Sequence, residues 1–327
     1  MKGNLIKLKL VCLILVMATT FFCGVRPAGS IGQTGHLVVA EIASMDINET
    51  DYPDLVKILN TFESERGCGS VFPDWAWASL HQQYSEIAHT VEFQQAWADY
   101  VKVNFPPLYT MSKKREIGFL MGITSHTFGD PPWHMFFLPE AEAHDNADHG
   151  LTEIGTDIFA NWELGKRQEV THGYLPATTA VNIYSIMGYP EVTESMLVKG
   201  MMELQAAIWA EKLVGYQGYL NLVRRMPWTD DNYVIYSPGG FEYDAEVSAL
   251  EMVNTWNYIQ GDLDQLLPAD VPVFMEKNIL IELGKKLIES GAIEIPVHRT
   301  EQGEYFFGEP MILDRKSFES VVWGFEF

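Results

Sequence analysis

Apolar residues recur at helical spacing along most of the chain between about Thr34 and Gln260. A short periodic run, Gly35-His36-Leu-Val-Val-Ala-Glu-Ile-Ala, opens this region, and Leu55, Ile58, Leu59 and Phe62 predict a helix over 51–62. Gly67, Gly69 and Pro73 punctuate a loop expected to deliver Asp74. Ile87, Val91, Trp97 and Val101 predict a helix over about 85–103, ended by Pro106-Pro107. The next runs from Lys113 to His126, basic at its start and apolar through Ile117, Leu120, Met121 and Ile123; Pro131 and Pro132 should kink or stop it. Residues 135–148 read as acidic and irregular, helical periodicity resumes over 149–164, and further helices are expected at about 191–225 and 242–260. Beyond Gly261 the texture changes. Prolines 268, 272, 296 and 310 appear, with alternation in Glu294-Ile-Pro-Val-His-Arg and Glu304-Tyr-Phe-Phe-Gly, so one more helix at about 275–290 should lead into strands. The expected class is mostly α, a multi-helix fold with a small strand-containing C-terminal tail.

Chemistry concentrates in residues 126–153. His126-Thr-Phe-Gly-Asp130 and His149-Gly-Leu-Thr-Glu153 are two His-x-x-x-acid pairs, with His134 between them. Positions i and i+4 share a helix face, so each pair can aim an imidazole and a carboxylate at one point. That donor set suits zinc and its neighbours. One pair occurs often by chance; two with an intervening histidine, in a chain of nine histidines, point to a shared metal site. Upstream lie His36 after Gln-Thr-Gly, Asp74 in Val-Phe-Pro-Asp, and His89 within a helix.

The bulk numbers bound this reading. With 327 residues and 47% hydrophobic content the chain can bury a substantial core, as one large domain or two modest ones. A net charge of −22 argues against duplex nucleic acid as a partner, although cations held inside an acidic protein can still draw in a phosphate. Lys2, Lys7 and Lys9 precede an apolar run from Leu10 to about Phe22, broken by Gly24, Pro27, Ala28 and Gly29. This reads as an export signal over residues 1–28, cleaved near Ala18-Thr-Thr20 or near Ala28-Gly29, in a secreted or periplasmic protein. Three cysteines, two of them in or near that signal, make no disulfide scaffold.

The ordered set His36, Asp74, His89, His126, Asp130, His134, His149 and Glu153 resembles the secreted zinc-dependent phospholipase C and single-strand nuclease superfamily. Within it, the catalytic domain of glycosylphosphatidylinositol-specific phospholipases D is most similar, through Gly69-Ser-Val-Phe-Pro-Asp74, Gly122-Ile-Thr-Ser-His126, Asp130-Pro-Pro-Trp-His134 and Gly239-Gly-Phe-Glu-Tyr-Asp244. The resemblance covers roughly residues 32–260 and implies a mostly helical catalytic domain over 29–261, leaving 262–327 as an extension of unassigned role. It implies two or three zinc ions. Asp74, His89, His126 and Asp130 would hold the first; His134, His149 and Glu153 the second; His36 and Asp130, completed by a processed N-terminus, the third. The implied substrate is a phospholipid or glycolipid-anchor head group, with peripheral contact at a membrane surface. The sequence does not fix an oligomeric state.

Metal ions can acidify water toward neutrality and clamp both oxygens of an in-line displacement at phosphorus. Asp74 would be a ligand, or would orient the attacking water and take its proton. A nuclease or nucleotidase on the same frame is the alternative activity, for which Trp75 and Trp133 would serve as base-stacking platforms; a metal-stabilised structural protein is a third. Other acids and histidines have plainer expectations. His144, Asp145 and Asp148 read as solvated loop residues, Asp157 as either a surface acid or a partner of a ligand histidine, and His81, His172 and His298 as metal-free.

Overall fold

The computed structural model describes residues 32–76, 82–104, 110–165, 173–264, 266 and 279–323. The expected export signal, His81 and His172 lie outside them. The chain is mostly helical with small antiparallel sheets near its C-terminus, as the periodicity predicts. Among the described residues no helix is long and apolar enough to cross a membrane.

Six elements build the site. Helix α1 is Gln33–Asp46, α2 Pro53–Thr61 and α3 Glu63–Val71, followed by a 3-10 turn over Phe72–Ala76; α4 is Gln82–Ala88, α5 Val91–Asn104 and α6 Met111–Pro132. A π turn over Trp133–Phe137 leads to α7, Leu138–Asp145, and then α8, His149–Glu163. The rest are α9 (Ala177–Ile186), α10 (Glu194–Glu211), α11 (Tyr216–Arg225), α12 (Pro227–Asn232), α13 (Phe241–Gln260), α14 (Ile279–Glu289) and α15 (Arg315–Trp323).

Three sequence expectations are corrected here. Gly67 and Gly69 do not break the chain but lie inside α3. The reason is tertiary: a Cβ on Gly69 would sit 1.9 Å from the Phe119 carbonyl oxygen, and one on Gly122 would sit 2.0 Å from that of Arg66. The glycines let α3 and α6 cross backbone to backbone, an advantage that outweighs their poor helix propensity. Second, α6 continues through both prolines, and 135–148 is not irregular, since the π turn and α7 carry the helix on to Asp145. Pro131 and Pro132 lack the N–H that would tie them to the preceding turn, and a wider turn, closed by Leu138 N–H donating to Trp133 C=O, follows them. Third, the run expected over 85–103 is two helices, broken at His89-Thr90, and the run over 191–225 is likewise two, α10 and α11.

The core is aromatic where these helices meet. Phe72, Phe93, Trp97 and Phe119 pack edge to face or stacked with centroids 5.2–6.2 Å apart, and Trp75, Tyr84 and Tyr184 form an adjoining group. Trp75 donates its indole N–H to the Tyr184 hydroxyl, so a buried polar group is satisfied without water.

Beyond Gly261 the chain is stitched to the helical body. Strand β1, Gly173–Leu175, pairs antiparallel with β4, Tyr305–Phe307, in the register Gly173 to Phe307, and β4 pairs on its other side with β3, Val297–Arg299; β2, Ile293–Glu294, pairs with β5, Met311–Ile312. Glu304, at the end of the β3–β4 turn, accepts from the Ser112 hydroxyl at 2.5 Å and the Tyr174 hydroxyl at 3.1 Å. Glu116, buried one turn along α6, has its carboxyl pushed up to about 7, mainly by burial; Thr179 opposes this and the Glu304 charge adds to it.

Two predictions follow from this packing. Gly122→Ala should lower stability by about 2 kcal/mol through overpacking, although alanine normally gains in a helix interior; a urea midpoint at or above wild type would contradict the close crossing. Glu116 titrates near 7 in the fold against 4.5 unfolded, so the unfolded chain releases its proton first as pH rises. Stability therefore drains away between about pH 4.5 and 7, to a limit of ~3 kcal/mol. Glu116→Gln should be more stable than wild type at pH 8 and indistinguishable near pH 4, which thermal melts at the two pH values test.

Candidate metal centre

All eight residues singled out in the sequence converge. Three groups have ligand atoms within 4.8 Å of one another: His36, Asp74 and His126; His89, His126 and Asp130; and His134, His149 and Glu153. They arrive from six segments, and each position has a local cause.

Helix α6 is the spine. His126 and Asp130 lie one turn apart on it, and His134 follows one further turn on, in the π turn, with Nε2 3.3 Å from Asp130 Oδ1. Across the pocket, α8 supplies His149 and Glu153, Nε2 to Oε1 2.8 Å. Asp148 is the N-cap of α8, accepting from Leu151 N–H at 2.9 Å, so His149 begins the helix at a fixed angle. Asp145 accepts from the backbone N–H groups of Trp228 and Thr229 and from the Thr229 hydroxyl, tying α7 to the start of α12. Asp145 is thus a half-buried cap at the end of α7 rather than the solvated loop residue expected, whereas Asp148 caps α8 and is exposed in the loop before it, as expected. His144 does reach solvent, stacked on Trp228 and 3.7 Å from Glu140.

Asp74 sits on the 3-10 turn rather than in a loop, and His89 lies just past the end of α4 rather than within a helix. His89 Nδ1 is 2.7 Å from the Ser85 carbonyl, and His126 Nδ1 is 2.7 Å from the Ser70 carbonyl. A carbonyl only accepts, so each Nδ1 carries a proton, and Nε2 is the nitrogen each ring turns toward the pocket, where a metal could bind it. Both Asp74 oxygens are engaged: Oδ1 lies 3.2 Å from His89 Nε2, and Oδ2 accepts from the Gln33 amide at 2.8 Å.

His36, on the first turns of α1, stacks on His126 with centroids 3.8 Å apart and has Nε2 3.7 Å from Asp130 Oδ1. Asp157 fixes that helix. It is fully buried, accepts from Gly35 N–H at 2.8 Å, and stands against Gly32, where a Cβ would meet its carboxylate at 2.2 Å. It is therefore neither a surface acid nor a partner of a ligand histidine but a tertiary cap for α1. Burial pushes its carboxyl up to about 7 beside Glu211, whose own carboxyl is also raised by burial and by Asp157; Glu211 accepts from the Thr34 hydroxyl at 2.6 Å.

Electrostatically the pocket is desolvated and crowded. Burial, then the neighbouring His126, pushes His36 down to about 3, and burial also lowers His126. Burial would raise Asp74 and Asp130, but the surrounding imidazoles, His89 for one and His134 for the other, more than reverse it and hold both below the usual carboxylate range. Glu153 goes the other way, well above its ordinary value, because burial outweighs His134 while Asp130 adds to it.

These residues fit a divalent cation. His36 Nε2 and His126 Nε2 are buried with no hydrogen-bond partner among the described residues, the donors are imidazole nitrogen and carboxylate oxygen, and two tautomers are fixed from behind. Sequence reasoning missed Gln33 as the amide on Asp74. Its one available signal was a position three residues before His36 at a helix start. Trp133 packs its ring 5.1 Å from His134 and 6.3 Å from His149, whereas Trp75 belongs to the aromatic core; both are fully buried. His298 lies exposed on β3 of the tail.

Comparison with known proteins finds phosphatidylinositol-glycan-specific phospholipases D. The protein of that name from Dictyostelium discoideum is 26% identical over 261 residues, covering 74% of this chain and 26% of its own length. That from Rattus norvegicus is 23% identical over 245 residues, covering 70% and 29%, and that from Bos taurus 27% over 190 residues, covering 53% and 23%. This supports a distant relationship. The chain spans about a quarter of the length of the curated relatives it matches. No family model matches it, and no solved structure does.

His126 belongs to two of the three ligand groups and His149 to one. Elemental analysis should therefore find His126→Ala stripped of more metal per chain than His149→Ala. Equal losses from the two variants would contradict the shared position of His126.

Proposed function

We propose that this chain is an exported, zinc-dependent phosphodiester hydrolase that releases the head group of a phospholipid or glycosylphosphatidylinositol, and that it is a member of the zinc-dependent phospholipase C and single-strand nuclease superfamily. The observation that carries this reading is the convergence of eight buried or half-buried histidines and acids on one pocket, in a chain distantly similar to phosphatidylinositol-glycan-specific phospholipases D. Export is supported by the basic and then apolar residues 2–22. A helical catalytic domain over 29–261 carries the site, and the tail after 261 braces it.

His89, His126, Asp130 and Asp74 would hold one ion, and His134, His149 and Glu153 a second; His36 with Asp130 offers donors for a third. Bound there, zinc would polarise a phosphoryl oxygen and acidify water at neutral pH. The protein's own part is preorganisation. Ser70 and Ser85 carbonyls lock His126 and His89 in the metal-binding tautomer. Asp130, between His36 and His134, has two oxygens and so can serve two ions where an imidazole cannot. Asp74, gripped through one oxygen by Gln33 and facing His89 through the other, is placed as a ligand rather than as a free proton acceptor. Trp133, itself fully buried, packs its ring beside His134 and His149.

Geometry favours lipid over nucleic acid. Trp75 and Trp133, the two candidates for base stacking, are both fully buried and packed against protein, so neither offers an open ring face.

Zinc-loaded protein should release head groups from phosphatidylinositol or glycosylphosphatidylinositol in mixed micelles, lose this activity to a chelator, and regain it with zinc. Phosphatidic acid as the lipid product would mark D-type cleavage and diacylglycerol C-type. Metal-replete protein that leaves every phospholipid intact while degrading single-stranded DNA would overturn the lipid assignment.

A further inference from the structure

Besides Asp157, which caps α1, a second buried acid beside the centre belongs to none of the three ligand groups. Asp244, on the first turns of α13, has no solvent exposure, and neither Oδ1 nor Oδ2 has a hydrogen-bond partner among the described residues. The charged group that acts on it is Asp130, another carboxylate. Helix packing forces this juxtaposition. The Ser248 hydroxyl, one turn along α13, donates to the Ser125 carbonyl at 3.1 Å, and a Cβ on Gly129 would meet Ser248 Oγ at 3.0 Å and the Asp244 carbonyl oxygen at 3.6 Å. With glycine at 129, α13 lies close on α6 and sets Asp244 beside the turn that carries Asp130.

A buried carboxylate without a donor, facing a second carboxylate, is strongly disfavoured as an anion, and burial and then Asp130 push it well above its ordinary range; it ionises there only when a cation compensates. Among the described residues no lysine, arginine or histidine acts on it. The start of α13 contributes only a partial positive charge. The compensating charge that remains is the one Asp130 would hold. With cations at the first two positions, Asp74, Asp130 and Glu153 would set three negative charges against four positive ones, and Asp244 would bring a fourth.

We propose that Asp244 is a positioning carboxylate of the metal centre, which completes its charge balance from behind Asp130 and tightens cation binding without being a ligand in the three groups. This rests on the metal centre of the function proposed above. It explains why a fully buried acid with no protein partner stands where an apolar residue would pack as well.

Asp244→Asn keeps the shape and removes the charge. Zinc affinity, measured by competition with a chromogenic chelator, should fall about ten- to a hundredfold. The metal-free variant should melt at or above wild type, while the gain in melting temperature on adding zinc shrinks. Asp244→Ala should show the same loss of affinity. Ser248→Ala, on the same helix, should melt lower with and without zinc and bind zinc as wild type does, which separates charge from packing. An Asp244→Asn protein with wild-type zinc affinity and stoichiometry overturns the proposal. Wild-type protein that takes up no zinc overturns the metal centre itself, and the role of Asp244 with it.

Discussion

The structure turns on the cost of keeping charge out of water. Asp74, Asp130, Glu153 and Asp244 are all buried within one region, and five imidazoles are packed among or beside them. Taken singly, each carboxylate is expensive to desolvate, and the histidines cannot offset all of them, because two, His36 and His126, are themselves driven by burial toward the neutral form. The pocket makes physical sense as a receptor for cations, in which the desolvation that penalises each acid alone strengthens its attraction to the ion. A purely structural protein would more economically fill the same space with apolar side chains.

Much of the fold serves to hold those side chains still. The glycine-paired crossing of α3 and α6 brings the Ser70 carbonyl under His126, so a packing feature distant from the chemistry fixes a tautomer. Asp157 does the same for α1 and His36, Asp148 for α8 and His149, and the last turn of α4 offers the Ser85 carbonyl to His89. His36, His89, His126 and His149 are thus each oriented by a backbone group or a cap on another element or an adjacent turn. Such supports bear directly on metal affinity, because a ligand free to rotate loses entropy when it binds.

What the sequence disclosed and what it hid divide along local and tertiary lines. The His126/Asp130 and His149/Glu153 pairs were legible because four-residue spacing is a local fact about helices. The mostly helical class followed from the same periodicity, and the strands of the tail from its alternation. Gly67 and Gly69 looked like punctuation because their neighbours are distant in sequence: the Leu37 side chain for Gly67, and Phe119 and Gly122, some fifty residues on, for Gly69. Residues 135–148 looked irregular because a proline pair ordinarily ends a helix, and nothing local shows that a π turn will carry the chain onward and so leave His134 facing Asp130. Asp145 looked solvated, and Asp157 read as a surface acid or a histidine partner, because acids are usually exposed unless something close in sequence pairs with them. Their roles as caps depend on helices distant in sequence, α12 for Asp145 and α1 for Asp157. Gln33 and Asp244 had no sequence signal beyond position, since one acts through a single long-range hydrogen bond and the other through proximity alone.

The exposure of the eight residues also gives the pocket a direction. His36, Asp74, His89, His126, Asp130, His134 and Glu153 are all buried, while the His149 side chain is 16% exposed, so the centre meets solvent on the α8 side. In the π turn, Met135 and Phe136 are exposed at 47% and 40%, next to the buried His134 and Phe137. An i+4 register keeps Trp133 and Phe137 inward, and the two residues between His134 and Phe137 are thereby turned out. The wide turn that follows Pro131-Pro132 thus does two things with one stretch of backbone: it brings His134 against Asp130 and turns two apolar side chains outward. On the proposed function, a head group would enter past His149 while its lipid lay alongside Met135 and Phe136. Polar chemistry and apolar contact would then be separated by less than one turn of helix.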